Sequence, residues 1–155
     1  MKNLIIVTGG AGFVGSNLIK HLISKTNNQI ISLDNYSSGS KKNHIKSKRV
    51  KYINGDVENI EKIVNKFNKK ISVLFHFGEF SRIHQSFTDI SKCIKTNISG
   101  TSKVFDFCLK NKIKIVYSAT SASLGNKGMD QNLSPYSFTK SKNLKLLINL
   151  NKWYG

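Results

Sequence analysis

At 155 residues, 39% hydrophobic and 21% charged with a single proline, the chain has material for one folded core and too little for two full domains. The 11 glycines show no triplet period and the two cysteines allow at most one bridge, which excludes collagen-like and disulfide-scaffold classes. The formal charge of +17 invites a nucleic-acid reading, but 23 of the 25 basic residues are lysine rather than the bidentate arginine, and only Tyr52 accompanies the Lys41 to Lys51 cluster.

That charge reads as a solvated lysine surface, with no nucleic-acid partner expected. No apolar run approaches the roughly 20 residues that cross a bilayer, and Met1-Lys2-Asn3 leads into a strand-like run without a signal peptide's apolar segment. A cytoplasmic location without membrane contact is expected. Cys93, Cys108 and the four histidines show no metal-ligand spacing, so no metal is expected.

Strand-type and helix-type patterns alternate along the chain, which predicts parallel strands joined by crossover helices. Leu4 to Thr8 reads as a first strand, and Val14, Leu18, Ile19, Leu22 and Ile23 recur at helical spacing after it. Gln29 to Asp34 is a second strand, Asn35 to Lys48 a polar loop, and Val50 to Asn54 a third strand. Ile60, Ile63, Val64 and Phe67 share a helical face, and Val73 to Phe77 is the fourth strand. One helix bent near Gly100 is expected over 87 to 110, followed by a fifth strand from Ile113 to Ser118. A loop rich in Ser, Gly and Asn then leads to a last helix, capped by Ser134 before Pro135, with Leu144, Leu147 and Ile148 as its buried stripe. The fold class is α/β, a Rossmann-like doubly wound parallel sheet with helices on both faces. The expected organisation is one incomplete dinucleotide-binding domain over 1–155, ending before the last strand or strands, with a substrate-binding lobe absent from this chain.

The first turn, Thr8-Gly9-Gly10-Ala11-Gly12-Phe13-Val14-Gly15, carries a GxxGxxG spacing between a strand and a helix. Glycines let backbone approach a pyrophosphate there, and the helix N-terminus offers free N–H groups and positive potential. Nineteen residues after Gly15, Asp34 ends the second strand, where a carboxylate accepts ribose hydroxyls and repels a 2′-phosphate, so NAD is favoured over NADP. Tyr136 and Lys140, four apart on the last helix, project from one face and form a candidate proton-transfer pair. A lysine-rich helix also produces that spacing by chance. Ser118-Ala119-Thr120-Ser121 follows the fifth strand at the carboxyl edge of the sheet, where a hydroxyl either meets a reacting oxygen or caps its own backbone.

Taken together, the glycine motif, Asp34, Gly55-Asp56, His76-Phe77, Asn97 before Gly100-Thr101, Tyr117-Ser118-Ala119-Thr120 and Pro135-Tyr136 with Lys140 resemble the extended short-chain dehydrogenases/reductases. Within these the chain is most similar to the NAD-dependent epimerase/dehydratase family and its UDP-glucose 4-epimerase branch, and it corresponds to the amino-terminal half of a typical member. The resemblance implies NAD as cofactor. It puts Gly9, Gly12, Phe13, Val14 and Gly15 at the pyrophosphate, Asp34 and Asn35 at the adenosine ribose, and Asp56 and Val57 at the adenine. Phe77, Gly78, Asn97 and Ser118 also fall on cofactor-binding positions, Thr120 on the active-site hydroxyl, and Tyr136 on the base. Lys140 falls on the lysine that binds the nicotinamide ribose and eases ionisation of the tyrosine.

The implied chemistry is transient oxidation of a nucleotide sugar, favouring a UDP-sugar, at its 4-hydroxyl, with hydride returned to the opposite face. The implied assembly is a homodimer through the helices after the fourth and fifth strands. Ser121-Ala122 stands where dehydratases of the family carry an Asp-Glu pair after the Thr, which favours epimerase or reductase chemistry. An NAD-binding module without turnover is the alternative from another class. Gly78-Glu79 replaces the usual pair of small residues, Leu124-Gly125 lacks the usual Tyr, and the stretch from Thr120 to Tyr136 is shorter than usual.

Overall fold

The computed structural model describes residues 3–67 and 70–155, so Met1 and Lys2 of the amino-terminal reading lie outside the described residues. Five strands, β1 (Leu4–Thr8), β2 (Gln29–Asp34), β3 (Val50–Asn54), β4 (Ile71–His76) and β5 (Lys114–Tyr117), form one parallel sheet in the order β3-β2-β1-β4-β5. The chain reverses direction across the sheet between β1 and β4, which is where the carboxyl ends of the strands open a crevice in doubly wound folds. Every residue of β1 is buried because this central strand is covered on both faces, and its sequence is accordingly apolar without alternation.

Alternate β1 residues feed two cores. Ile5 and Val7 pack with Ile19 and Leu22 of α1 (Phe13–Lys25). On the opposite face Ile6 joins Ile60 and Val64 of α2 (Ile60–Val64) and residues of the helix preceding β5. Among the described residues no helix is long and apolar enough to cross a membrane.

The expected helix over 87 to 110 is divided differently from the reading of its sequence. A single turn, α3 (Gln85–Thr88), stops at Asp89, and α4 (Ile90–Ile94) passes through a π-helical stretch, Lys95–Gly100, into α5 (Thr101–Lys110). Gly100 keeps helical dihedrals and is not the bend. Its lack of a side chain is a packing requirement, since a Cβ there would stand 2.8 Å from Val57 Cγ2.

The last helix, α6 (Pro135–Tyr154), begins as expected with Ser134 Oγ accepting from the Ser137 N–H at 3.0 Å and proline in the first turn. Its buried face is a correction. Ser137, Thr139, Lys140, Ser141 and Asn143 are buried, whereas Leu144 and Leu147 are half-buried and Ile148 is 48% exposed. The helix packs beside α4 and α5 over polar groups rather than over the apolar core, so its inward side is chosen by hydrogen bonding.

Candidate active site

Gly9 leaves β1 with φ +68°, and a Cβ there would lie 2.6 Å from the Phe77 carbonyl carbon. The position therefore requires glycine for its dihedral and for the approach of β4. The Gly12 N–H donates to the Gly9 carbonyl at 3.1 Å, and a Cβ on Gly15 would run into the same oxygen, so all three glycines of the spacing hold one tight turn. Gly12 caps α1 without any side-chain bond to the first-turn amides, so those N–H groups are left for an anion.

Asp34 is fixed by two backbone donors, the Ala11 N–H to Oδ2 at 2.9 Å and the Tyr36 N–H to Oδ1 at 2.8 Å. A carboxylate accepts about four hydrogen bonds, so lone pairs remain for hydroxyls. Asn35 Nδ2 donates to Asp56 Oδ2 at 3.3 Å, which ties the ends of β2 and β3 together.

A cavity of about 240 Å³ runs along the carboxyl edge of the sheet from this turn to α6. Gly9, Gly12, Phe13, Val14, Gly15, Asp34, Asn35, Asp56, Val57, Phe77, Gly78, Ser118, Tyr136 and Lys140 all line it. Two residues from the sequence reading stand elsewhere. Asn97 is fully buried behind the wall, where its side chain accepts from the Phe80 N–H at 2.7 Å and donates to the Phe80 carbonyl at 3.2 Å. Thr120 is off the cavity lining, with Oγ1 accepting from the Ala122 N–H at 3.3 Å as the cap of its own turn. Ser37 and Ser38 join the wall without having been singled out, although they directly follow Asn35. Among the described residues no group of three or more His, Cys, Asp or Glu is placed to hold a metal. Both cysteines are free and buried, and burial pushes their thiols up, that of Cys108 to about 12.

Behind the cavity runs a buried chain of hydrogen bonds. The Phe77 and Gly78 N–H groups donate to Thr8 Oγ1 at 3.2 and 3.0 Å, so that hydroxyl turns its hydrogen to His76 Nδ1 at 2.7 Å. Thr101 Oγ1 donates to Glu79 Oε1 at 2.9 Å, so His76 Nε2 carries the ring hydrogen and donates to Thr101 at 3.0 Å. The neutral Nε2–H tautomer satisfies every group. Burial lowers His76 to about 4, with Glu79 opposing that shift and Lys140 adding to it. A depressed folded value makes stability present above pH 6.5 and lost as pH falls toward 4, because only the unfolded imidazole takes up the proton there. The expected loss is about 3 kcal/mol. Urea unfolding between pH 7 and 4.5 checks this against His76→Gln, and an equal slope in both proteins contradicts it.

Glu79 Oε1 also accepts from Tyr117 Oη at 3.0 Å and from Asn143 Nδ2 at 3.2 Å, while Oε2 pairs with Lys140 Nζ. Lys140 Nζ donates in addition to the Ser118 carbonyl and lies 4.5 Å from the centroid of the Tyr117 ring. Burial and then the Glu79 charge push the Tyr117 phenol upward, which keeps it a neutral donor.

Residues 5–155 match the NAD dependent epimerase/dehydratase family. The chain is 33% identical over 149 residues to an ADP-L-glycero-D-manno-heptose-6-epimerase of Brachyspira hyodysenteriae, an alignment covering 88% of this chain and 46% of the relative. It is 31% identical over 153 residues to a dTDP-D-glucose 4,6-dehydratase of Dictyostelium discoideum, covering 94% of this chain and 35% of the relative. The chain thus spans about half or less of the length of these curated relatives. Among solved structures, a UDP-glucose 4-epimerase from Brucella ovis in complex with NAD is 26% identical with a TM-score of 0.84, over 99% of this chain and 49% of that one. With the glycine turn, the carboxylate closing β2 and a match that runs almost from end to end, the chain belongs to the NAD-dependent epimerase/dehydratase family.

Proposed function

We propose that this chain is the NAD-binding half of a nucleotide-sugar epimerase that acts in the cytoplasm on a UDP-sugar at its 4-hydroxyl. One observation carries the reading. The uncapped first turn of α1, the Asp34 carboxylate, Tyr136 and Lys140 line a single cavity, so a dinucleotide held by the first two reaches the last two. The glycine cradle fits a pyrophosphate because side chains at Gly9 and Gly15 would fill it. Asp34, with both oxygens already oriented by backbone N–H groups, suits ribose hydroxyls and repels a phosphate. Neither Asn35 nor Tyr36 is basic, and Lys41 sits 5.8 Å from the centroid of the Tyr36 ring.

NAD, when bound, supplies the hydride acceptor and donor. Tyr136 takes the proton of the sugar hydroxyl through its phenol oxygen and returns it after the sugar has turned over. Lys140 anchors the ribose beside it with the donor left over from Glu79 and Ser118. Asn97 holds the Phe80 segment of the wall in place. Thr120 Oγ1 accepts from the Ala122 N–H and keeps its own hydroxyl hydrogen to donate to a substrate oxygen. The reading includes a homodimer through the helices after β4 and β5, supported by exposed Phe87 of α3, Ile90 and Ile94 of α4, and Phe138 and Ile148 of α6. Sedimentation of monomer alone at high concentration would count against that assembly.

The function is tested on the full-length protein by following interconversion of UDP-glucose and UDP-galactose. Interconversion is the expected result. Absence of turnover with any nucleotide sugar would replace the epimerase reading with an NAD-binding module.

A further inference from the structure

Glu79 is a carboxylate with almost no contact with water, its side chain 3% exposed, yet its residue borders the cavity that Lys140 and Tyr136 also line. It is held from four directions by Thr101 of α5, Tyr117 of β5, and Asn143 and Lys140 of α6. The Lys140 ammonium and the Asn143 side-chain nitrogen can only donate, so both carboxylate oxygens act as acceptors here. Lys140, its side chain 5% exposed, gives one N–H to Glu79 and one to the Ser118 carbonyl, and this residue lines the cavity with its third N–H not used in either bond.

We propose that Glu79 is a positioning and charge-balancing residue for Lys140, fixing the ammonium in the cavity wall and cancelling its field so that the site accepts oxidised nicotinamide without a net opposing charge. The proposal rests on the NAD reading above. Its physical basis is the difference between the two redox states of the cofactor. The oxidised nicotinamide ring carries a positive charge and the reduced ring none, so a wall charge of either sign changes their relative affinity. With both partners present the wall is neutral. Removing the carboxylate leaves a buried, uncompensated ammonium that disfavours the oxidised form, and removing the ammonium leaves a carboxylate that favours it.

The experiment measures dissociation constants of NAD and NADH for the full-length protein at one pH and ionic strength, and reads the ratio of the two. Glu79→Gln raises the NAD-to-NADH ratio of dissociation constants by at least about tenfold, since one unit charge within about 10 Å in protein is worth that or more. Lys140→Met lowers that ratio below the wild-type value, and the double variant Glu79→Gln/Lys140→Met returns it close to wild type. The opposite signs separate a charge effect from damage, because lost packing weakens both forms together. Should Glu79→Gln fail to fold, the fall produced by Lys140→Met alone carries the test. Wild type binding both forms with a ratio unmoved by either substitution, or moved in the same direction by both, overturns the proposal and leaves the NAD reading standing. Wild type binding neither form overturns both.

Discussion

Tyr136→Phe in the full-length protein is expected to reduce sugar turnover by about 10²–10⁴-fold, the usual worth of a positioned general acid–base group. The substitution removes one oxygen from the wall of the cavity and leaves the rest of the site in place. The glycine turn and Asp34 are carried by β1, β2 and the start of α1, and the bonds that Tyr136 makes to side chains, its backbone N–H to Ser86 Oγ at 3.2 Å and its carbonyl accepting from Thr139 Oγ1 at 3.0 Å, do not involve the phenol. NAD affinity is therefore expected to stay within a few-fold of wild type, so the loss falls on kcat. Turnover unchanged by Tyr136→Phe would show that another group moves the proton. Loss of cofactor binding in step with turnover would show that the phenol acts in binding instead.

Gly9→Ala is expected to destabilise the fold by about 2–4 kcal/mol and to weaken NAD binding at least about tenfold, through two separable causes. A left-handed backbone costs a non-glycine residue roughly 1 kcal/mol or more. A methyl group at Gly9 would in addition lie 2.6–2.8 Å from the Phe77 carbonyl and the Gly78 nitrogen, which are backbone atoms that cannot rotate away. The turn must then move off the end of β4 and open the pyrophosphate cradle. Gly128 supplies the control, because its φ is also positive at +85° while a Cβ there would meet nothing nearer than 3.6 Å. Urea unfolding of Gly9→Ala and Gly128→Ala isolates the contact, with Gly128→Ala costing about 1 kcal/mol. Equal destabilisation by both would mean that the Gly9 turn has room for a side chain.

The strands were legible because a parallel sheet covered on both faces demands near-continuous apolar runs, and Leu4 to Val7 and Ile30 to Leu33 meet that demand without turning a polar side to water. The glycine spacing and Asp34 were legible for a related reason, since backbone geometry at a strand-to-helix turn restricts the residue types. The burial of α6 was not legible. Its apolar residues form a convincing stripe, but the inward face is selected by Glu79 and Asn97, whose bonds to Lys140 and Asn143 join residues 61, 64 and 46 positions apart. No window of local periodicity contains such a partner. The same holds for Glu79, whose position beside the cofactor path could be read from its place after β4 while its four donors could not. The side-chain bonds of Asn97 and Thr120, to the backbone of Phe80 and of Ala122, were likewise not legible, because roles carried by position say nothing of such partners.

The central claim, that the cavity at the carboxyl edge of the sheet holds NAD, is tested most directly by calorimetric titration of the protein with NAD and with NADP under matched conditions. Saturable binding of NAD at one site per chain, with NADP at least about tenfold weaker because Asp34 faces its 2′-phosphate, is the predicted result. No binding of NAD, or NADP bound equally or more tightly, would contradict it.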